Sequence, residues 1–345
     1  MGFGEPPLCE GWHWAAASCD LKRGAVRAIE VGGRKLALYR GEDGVARCVD
    51  AFCPHMGAHL ALGKVEGAGL RCFFHGWRFG ADGKCDEIPA LDTRVRDVCL
   101  KKHAVSEQDG LVWLWVGDGA PTFAPPIHHT LVGKPRRAFR VARWKKKCHP
   151  HVVLVNAIDE QHFRTVHQVP GEALKLRTES IAPHHFRVEN TGAPPETSWL
   201  WRFLRKLYRG ETLTYEIDYF SAATGCIRLG PSWARLHLMF AVRPTPDGGA
   251  EGMTIALSER RRGIKGAIID YALMGVAALA GAYFAVGDTK VFDTISFELK
   301  TPIPADRTVW TYVRHVEAQQ RAHFWLDEHG LPRQLERFPR GWAAE

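Results

Sequence analysis

The sequence predicts an α+β protein in two parts, an all-β N-terminal part followed by a mixed α+β part. Between Lys35 and Trp115 the apolar residues come in short runs, KLALYR, VARCVDAF, LRCFFHGWRF and LVWLWV, separated by GEDG and ADGK. Short β-rich runs closed by Gly and Asp are strands and hairpin turns. The stretch GDGAPTFAPPIHHT has no apolar period and is rich in Pro, Gly and Thr, which marks a crossing between domains. Beyond it TLTYEIDYF, RLHLMFAV and GMTIALSE alternate as strands do, whereas HVVLVNAIDEQHFRTVH carries apolar residues at helical spacing. These signals place one domain at residues 1–125 and a second at 126–345.

The composition allows this organisation. With 345 residues, 46% of them hydrophobic and 24% charged, the chain can bury full cores, which excludes a disordered, collagen-like or disulfide-stapled miniprotein. Eight of the nine cysteines precede residue 149, so thiols concentrate in the first domain. The opening MGFGEPPLCEGW lacks a basic start and an apolar core, so a reducing, cytoplasmic setting is expected, with thiols free or metal-bound. The net charge of +8 is spread along the chain. Arg143, Lys145, Lys146 and Lys147 form one cluster, readable as a docking patch for an acidic protein or as a solvated strand end. No recognition motif accompanies it, so nucleic acid is not an expected partner. The uncharged stretch Tyr271–Gly287 falls short of the ~20 residues that span a bilayer and predicts a buried helix lining the core or a substrate cavity, with no membrane span. The end of the chain, QQRAHFWLDEHGLPRQLERF, is helical in character until Gly330 and Pro332.

Chemistry enters with Cys53-x-His55 and, after sixteen intervening residues, Cys72-x-x-His75. Two thiolates and two imidazoles suit a tetrahedral zinc, or a [2Fe–2S] cluster with both cysteines on one iron and both histidines on the other. Each pair sits among small or turn residues (Pro54, Gly57, Ala58, Gly76) that let backbone N–H groups approach sulfur. A zinc finger needs no such surroundings, and its usual helical His pair is missing, so the pattern favours the cluster. Cys85 reads as a core bystander.

A second centre is written in LVNAIDEQHFRTVH. Asn156, Asp159 and His162 recur at i, i+3 and i+6, along one stripe of a helix. His167 follows His162 by five positions, about 140° away on an ideal helix, so the two share a metal only if the helix ends or bulges near Phe163–Val166. Two imidazoles and a carboxylate form the facial triad of non-heme Fe(II). For the carboxylate the sequence offers Asp293 in KVFDTISFELK, which follows the long apolar helix, with Asp288 as the fallback.

Taken together, the C-P-H-x-G-A-x-L run at Cys53–Leu60, the C-x-x-H-G-W run at Cys72–Trp77 and the N-x-x-D-x-x-H-x4-H run at Asn156–His167 resemble the Rieske non-heme iron oxygenase α subunits. Where the respiratory branch of Rieske proteins adds a disulfide-forming cysteine to each loop, this chain has Ala58 and Phe74. The resemblance implies an N-terminal Rieske [2Fe–2S] domain on Cys53, His55, Cys72 and His75, then a helix-grip-type catalytic domain holding Fe(II) through His162, His167 and Asp293, with Asn156 near the iron. It further implies a head-to-tail homotrimer in which Asp159 bridges the partner subunit's His75 and His162. O2 is then the co-substrate, and electrons come from NAD(P)H through a separate ferredoxin or flavin reductase, since no reductase domain is evident in the sequence. Within the family the chain looks most like the α-only members that act on bulky ring compounds, such as aminopyrrolnitrin oxygenase, and more distantly ketosteroid hydroxylases. Monooxygenation of a largely apolar ring substrate is the expected reaction. An electron-transfer or regulatory protein without catalysis is the rival reading.

Overall fold

The computed structural model describes residues 8–91, 98–169, 174–190, 192, 215–230, 235–319 and 322. Its N-terminal part holds eleven short strands: β1 (Gly11–Ala17), β2 (Val26–Val31), β3 (Arg34–Arg40), β4 (Ala46–Asp50), β5 (Lys64–Glu66), β6 (Gly69–Arg71), β7 (Arg78–Phe79), β8 (Cys85–Glu87), β9 (Lys102–His103), β10 (Val105–Gln108) and β11 (Leu111–Val116). They form three antiparallel sheets, ordered β1-β11-β10, β2-β3-β4-β9 and β5-β6-β7-β8. LRCFFHGWRF is two strands rather than one, because Cys72–Trp77 leaves the sheet as a loop between β6 and β7.

The uninterrupted apolar run of β11 has a structural reason. Side chains alternate across a strand. Val112, Leu114 and Val116 face the N-terminal core with Leu36 and Leu38, whereas Trp113 and Trp115 face Met239, Met253 and Ile255 of the second part. The strand is therefore buried on both sides.

The second part is built on a seven-stranded antiparallel sheet of β12 (Arg136–Lys146), β13 (Leu176–Ala182), β14 (His185–Asn190), β15 (Tyr215–Phe220), β16 (Thr224–Leu229), β17 (Leu236–Pro244) and β18 (Ala250–Glu259), ordered β12-β18-β17-β16-β15-β14-β13. Its helices among the described residues are α1 (Pro150–Asn156), α2 (Glu160–Thr165), α3 (Gly263–Phe292) and α4 (Arg307–Glu317). Along β17 and β18 the alternate residues Leu236, Leu238 and Ala256 turn away from the N-terminal sheets and pack on Met274 and Ala277 of α3. The sheet thus lies between the N-terminal part and α3. The C-terminal helical reading of Gln319–Phe338 falls outside the described residues, apart from Gln319 and Ala322.

The expected buried helix corrects to one covered along a single stripe and otherwise largely exposed. α3 buries Gly266, Asp270, Met274, Ala277, Asp288 and Phe292, an i, i+3, i+4 stripe, while its opposite side is exposed. It is also the one helix among the described residues long and apolar enough to cross a membrane. Asp270 fixes its start: the carboxylate is fully buried and accepts from the Arg261 amide (2.9 Å), Arg261 Nη1 (2.7 Å) and Arg137 Nε (3.1 Å) on β12.

A second buried carboxylate, Asp218 on β15, ties the interdomain linker to the sheet. It accepts from His129 N and the His129 ring (both 2.8 Å), from the His185 ring (2.9 Å) and from Arg187 Nε (2.7 Å). Burial alone would raise its pKa, but these hydrogen bonds outweigh burial and hold it well below the usual carboxylate range. Removing a partner from a buried charge cluster costs about 3–5 kcal/mol. Asp218→Ala should lose that much stability by denaturant titration at neutral pH. A depressed carboxylate stabilises above its unfolded pKa, so the gap between the proteins should close as pH falls below about 4.

Candidate metal centres

The two cysteine loops share one backbone frame. Cys53 N–H donates to Ala58 O (2.8 Å) and Gly57 N–H returns to Cys53 O (2.9 Å); Cys72 N–H donates to Trp77 O (2.8 Å) and Gly76 N–H returns to Cys72 O (3.2 Å). Both loops turn through a glycine in the left-handed region, Gly57 at φ +74° and Gly76 at φ +71°. Cys53 and Cys72 are buried, and His55 and His75 are exposed with ring centroids 4.5 Å apart, His55 stacking on Trp77. Burial pushes the Cys53 thiol up to about 11, with Cys72 adding to the effect, so ionisation there calls for a bound cation. All nine cysteines are free, and Cys85 packs in the same core as the two ligand positions. The four residues fit a Rieske cluster, sulfurs inward and imidazoles at a surface tip rimmed by exposed Met56, Phe73 and Phe74.

At the second centre the single expected helix is two. The chain breaks at Ala157–Asp159 because Asp159, in extended conformation, caps α2: its Oδ1 accepts from Gln161 N (2.9 Å) and His162 N (3.2 Å). α2 ends at Thr165, and Gln168 takes φ +54°. Termination, rather than a bulge, carries His167 back to His162, with ring centroids 4.5 Å apart.

The carboxylate that meets them is Asp288. Its Oδ1 lies 2.7 Å from His162 Nε2 and 3.0 Å from His167 Nε2. His167 Nε2 is buried without hydrogen-bond geometry to any acceptor, as expected of a nitrogen aimed at a shared point rather than at a proton acceptor. Burial lowers the His167 pKa and favours the neutral imidazole that ligates metal. Asn156 Nδ2 donates to Asp288 Oδ2 (2.8 Å), leaving Oδ1 to the histidines. Three donor atoms within 4.8 Å of one another, two imidazole and one carboxylate, fit non-heme Fe(II).

Asp293 is displaced from this role. Five residues beyond Asp288 it is rotated about 140° off the inward stripe of α3. It caps the helix end, is exposed, and lines an interdomain cleft with Lys145, Lys146 and Lys147. The signal in the sequence was the stripe itself: Asp270, Met274, Ala277, Gly281, Phe284 and Asp288 keep one phase, and Asp293 leaves it.

Two neighbours escaped the sequence reading. Gly287 lets α3 approach the histidine turn, since a Cβ there would sit 2.7 Å from Val166 Cγ1 and 3.6 Å from His167 Cε1. Phe284 packs edge-on to His167 (4.8 Å) and, with Phe163 and Tyr215, makes an aromatic wall.

Asp288→Ala should abolish mononuclear iron binding while keeping the Rieske absorption, and Asp293→Ala should keep both; metal analysis of the two variants decides between the carboxylates. Gly287→Val should push α3 off Val166 and lower mononuclear iron occupancy roughly 10-fold or more, an effect on the scale of disturbed metal surroundings, read by iron titration.

A family model for the Rieske [2Fe–2S] domain matches residues 11–104. The chain is 33% identical to cholesterol 7-desaturase nvd of Bombyx mori over 250 residues, covering 69% of this chain and 53% of the relative. It is 31% identical to the 3-chlorobenzoate-3,4-dioxygenase oxygenase subunit of Comamonas testosteroni over 200 residues, 54% of this chain and 46% of the relative. The chain thus spans about half the length of these curated relatives. Among solved structures, dicamba monooxygenase bound to 3,6-dichlorosalicylic acid superposes with a TM-score of 0.63 at 18% identity, over 90% of this chain and 96% of that one. The chain therefore carries a Rieske [2Fe–2S] domain and, with a His-His-Asp centre on a shared architecture, is similar to Rieske non-heme iron oxygenase α subunits.

Proposed function

We propose that the protein is an oxygenase that uses O2 and externally supplied electrons to oxidise an apolar, ring-containing substrate, with monooxygenation as the favoured outcome. The observation that carries this reading is the coexistence, on one chain, of a Cys2His2 tip with exposed imidazoles and a buried His162/His167/Asp288 centre. When bound, the cluster supplies one-electron transfer and the mononuclear iron supplies the O2 chemistry.

The chain's own residues supply position and exclusion of water. Asn156 orients Asp288, whose Oδ1 then faces both imidazoles across the ligand point. Phe163, Phe284 and Tyr215 give the site an apolar side suited to a ring compound, which accords with relatives named for cholesterol and chlorobenzoate. His162 Nδ1 is buried without a hydrogen-bond partner, and Asp159 stands one turn before it with its carboxylate on the His162 amide. In this reading Asp159 accepts from His162 on one side and from the partner subunit's His75 on the other, giving electrons a hydrogen-bonded route. The exposed apolar rim of the cluster tip supports docking against a second copy, and a homotrimer is the assembly we assign. A ferredoxin or flavin reductase fed by NAD(P)H is the electron donor in this reading, and the setting is cytoplasmic.

The loaded protein should hold about three irons and two acid-labile sulfides per chain. Asp159→Ala should retain both metal centres yet lose substrate oxidation by roughly 10–100-fold, a loss typical of groups that orient metal ligands. Unchanged turnover, measured as O2 uptake coupled to product, would sink the bridge; two irons and two sulfides would sink the oxygenase reading.

A further inference from the structure

α3 is apolar around its whole circumference, and such helices belong in a protein interior or against lipid. Its inner stripe has the sheet. Its outer side presents Ile264, Ile268, Leu279, Tyr283 and Val286, each more than 60% exposed, flanked by exposed Tyr271 and Val276. Charge is confined to the helix ends. Between Lys265 and Asp288 the one charged residue is Asp270, which is buried. At the N-terminal end Arg260, Arg262 and Lys265 are exposed and make no ion pair among the described residues, while the neighbouring Glu259 pairs with Lys134. Lys290 is exposed near the other end, with exposed Asp293 just beyond it.

We propose that this outer face of α3 docks on the surface of an anionic phospholipid bilayer. The apolar stripe enters the boundary between headgroups and acyl chains, Tyr271 and Tyr283 sit at that boundary, and Arg260, Arg262 and Lys265 meet lipid phosphates. The helix lies on the membrane and does not cross it. Asp270 is tied to Arg137 on β12, and Asp288 to Asn156, His162 and His167, so both ends of the inner stripe are held by buried carboxylates. Leaving the sheet would strand those charges. Charge complementarity selects the occupant: anionic headgroups match the cationic end of the stripe, whereas a second copy brings the same cations and the same net charge of +8. Composition elsewhere points the same way. The segment 199–209, WLWRFLRKLYR, joins four cations to aromatic and aliphatic residues without an acid. Docking stands independently of the oxygenase reading. If both hold, an apolar substrate in the bilayer is about one helix diameter, ~10 Å, from the metal site.

Co-sedimentation of the purified full chain with vesicles tests the proposal. Binding should be weak to phosphatidylcholine alone, strong to an equal mixture with phosphatidylglycerol, and reduced by salt. The outer-face variant Ile268→Glu/Leu279→Glu/Val286→Glu and the cationic variant Arg260→Glu/Arg262→Glu/Lys265→Glu should each weaken binding to the mixed vesicles at least about tenfold. Unchanged circular dichroism and thermal midpoint establish that both variants fold; because the altered side chains are exposed, the single variant Leu279→Glu serves if a triple variant does not. Absence of binding to mixed vesicles overturns the proposal, as does binding that the outer-face variants leave intact. Light scattering that shows these variants to be of lower oligomeric order, without vesicle binding by the parent, assigns the face to a second copy and overturns it as well.

Discussion

The metal centre depends on α3 lying with a single stripe inward. That stripe delivers the carboxylate Asp288 to a pair of histidines from a distant part of the chain, and its phase is set at the other end by Asp270. The eighteen residue steps from one to the other make five turns, about 27 Å of rigid rod. A helix anchored at both ends cannot rotate without burying an unpaired carboxylate, so the phase of Asp288 is fixed by interactions far from the iron. Gly287 completes the arrangement by allowing contact with Val166 at a distance no side chain would permit.

Buried carboxylates recur as the organising device. Asp218 fixes the linker, Asp270 fixes the start of α3, and Asp288 meets the two metal-site histidines; Asp218 and Asp270 have donors on both oxygens, and Asp288 has Asn156 on one oxygen and the histidines on the other. Unpaired, each would be costly in a low-dielectric interior. Paired, each joins elements that no hydrophobic contact would hold in register. At Asp218 the cluster also brings His128 and His129 close enough to mimic a metal group, but Arg187 already supplies the positive charge there.

The two metal centres are built on opposite principles. The cluster loops are rigid hairpins whose twin hydrogen-bond frames bury sulfur and expose imidazole, which suits electron exchange at a surface. The mononuclear centre is enclosed by α1, α2 and α3, with phenylalanine and tyrosine rings beside it, which suits chemistry that water would quench. β11 connects the two halves mechanically, one face in each core.

Much of this was legible in the sequence because its signals are local. The Cys53/His55 and Cys72/His75 pairs lie within single turns, the strands alternate, and His162 and His167 can converge only where a helix stops, which it does at Thr165. What the linear order left open was long-range phase. Asp159 reads equally well as a helical residue or a helix cap, and its extended backbone follows from the two amides that its carboxylate accepts. Asp293 and Asp288 are five residues apart and chemically identical, and the choice between them is made by which side of α3 meets the sheet. Likewise an uncharged stretch does not say how much of its circumference is covered. The sequence by itself determined the chemistry of both centres and the strand-rich scaffold, since ligand type and periodicity are properties of neighbouring residues. Only the tertiary structure decided which carboxylate completes the iron site and which face of α3 remains open, because rotation of a helix about its axis is set by the partners it packs against.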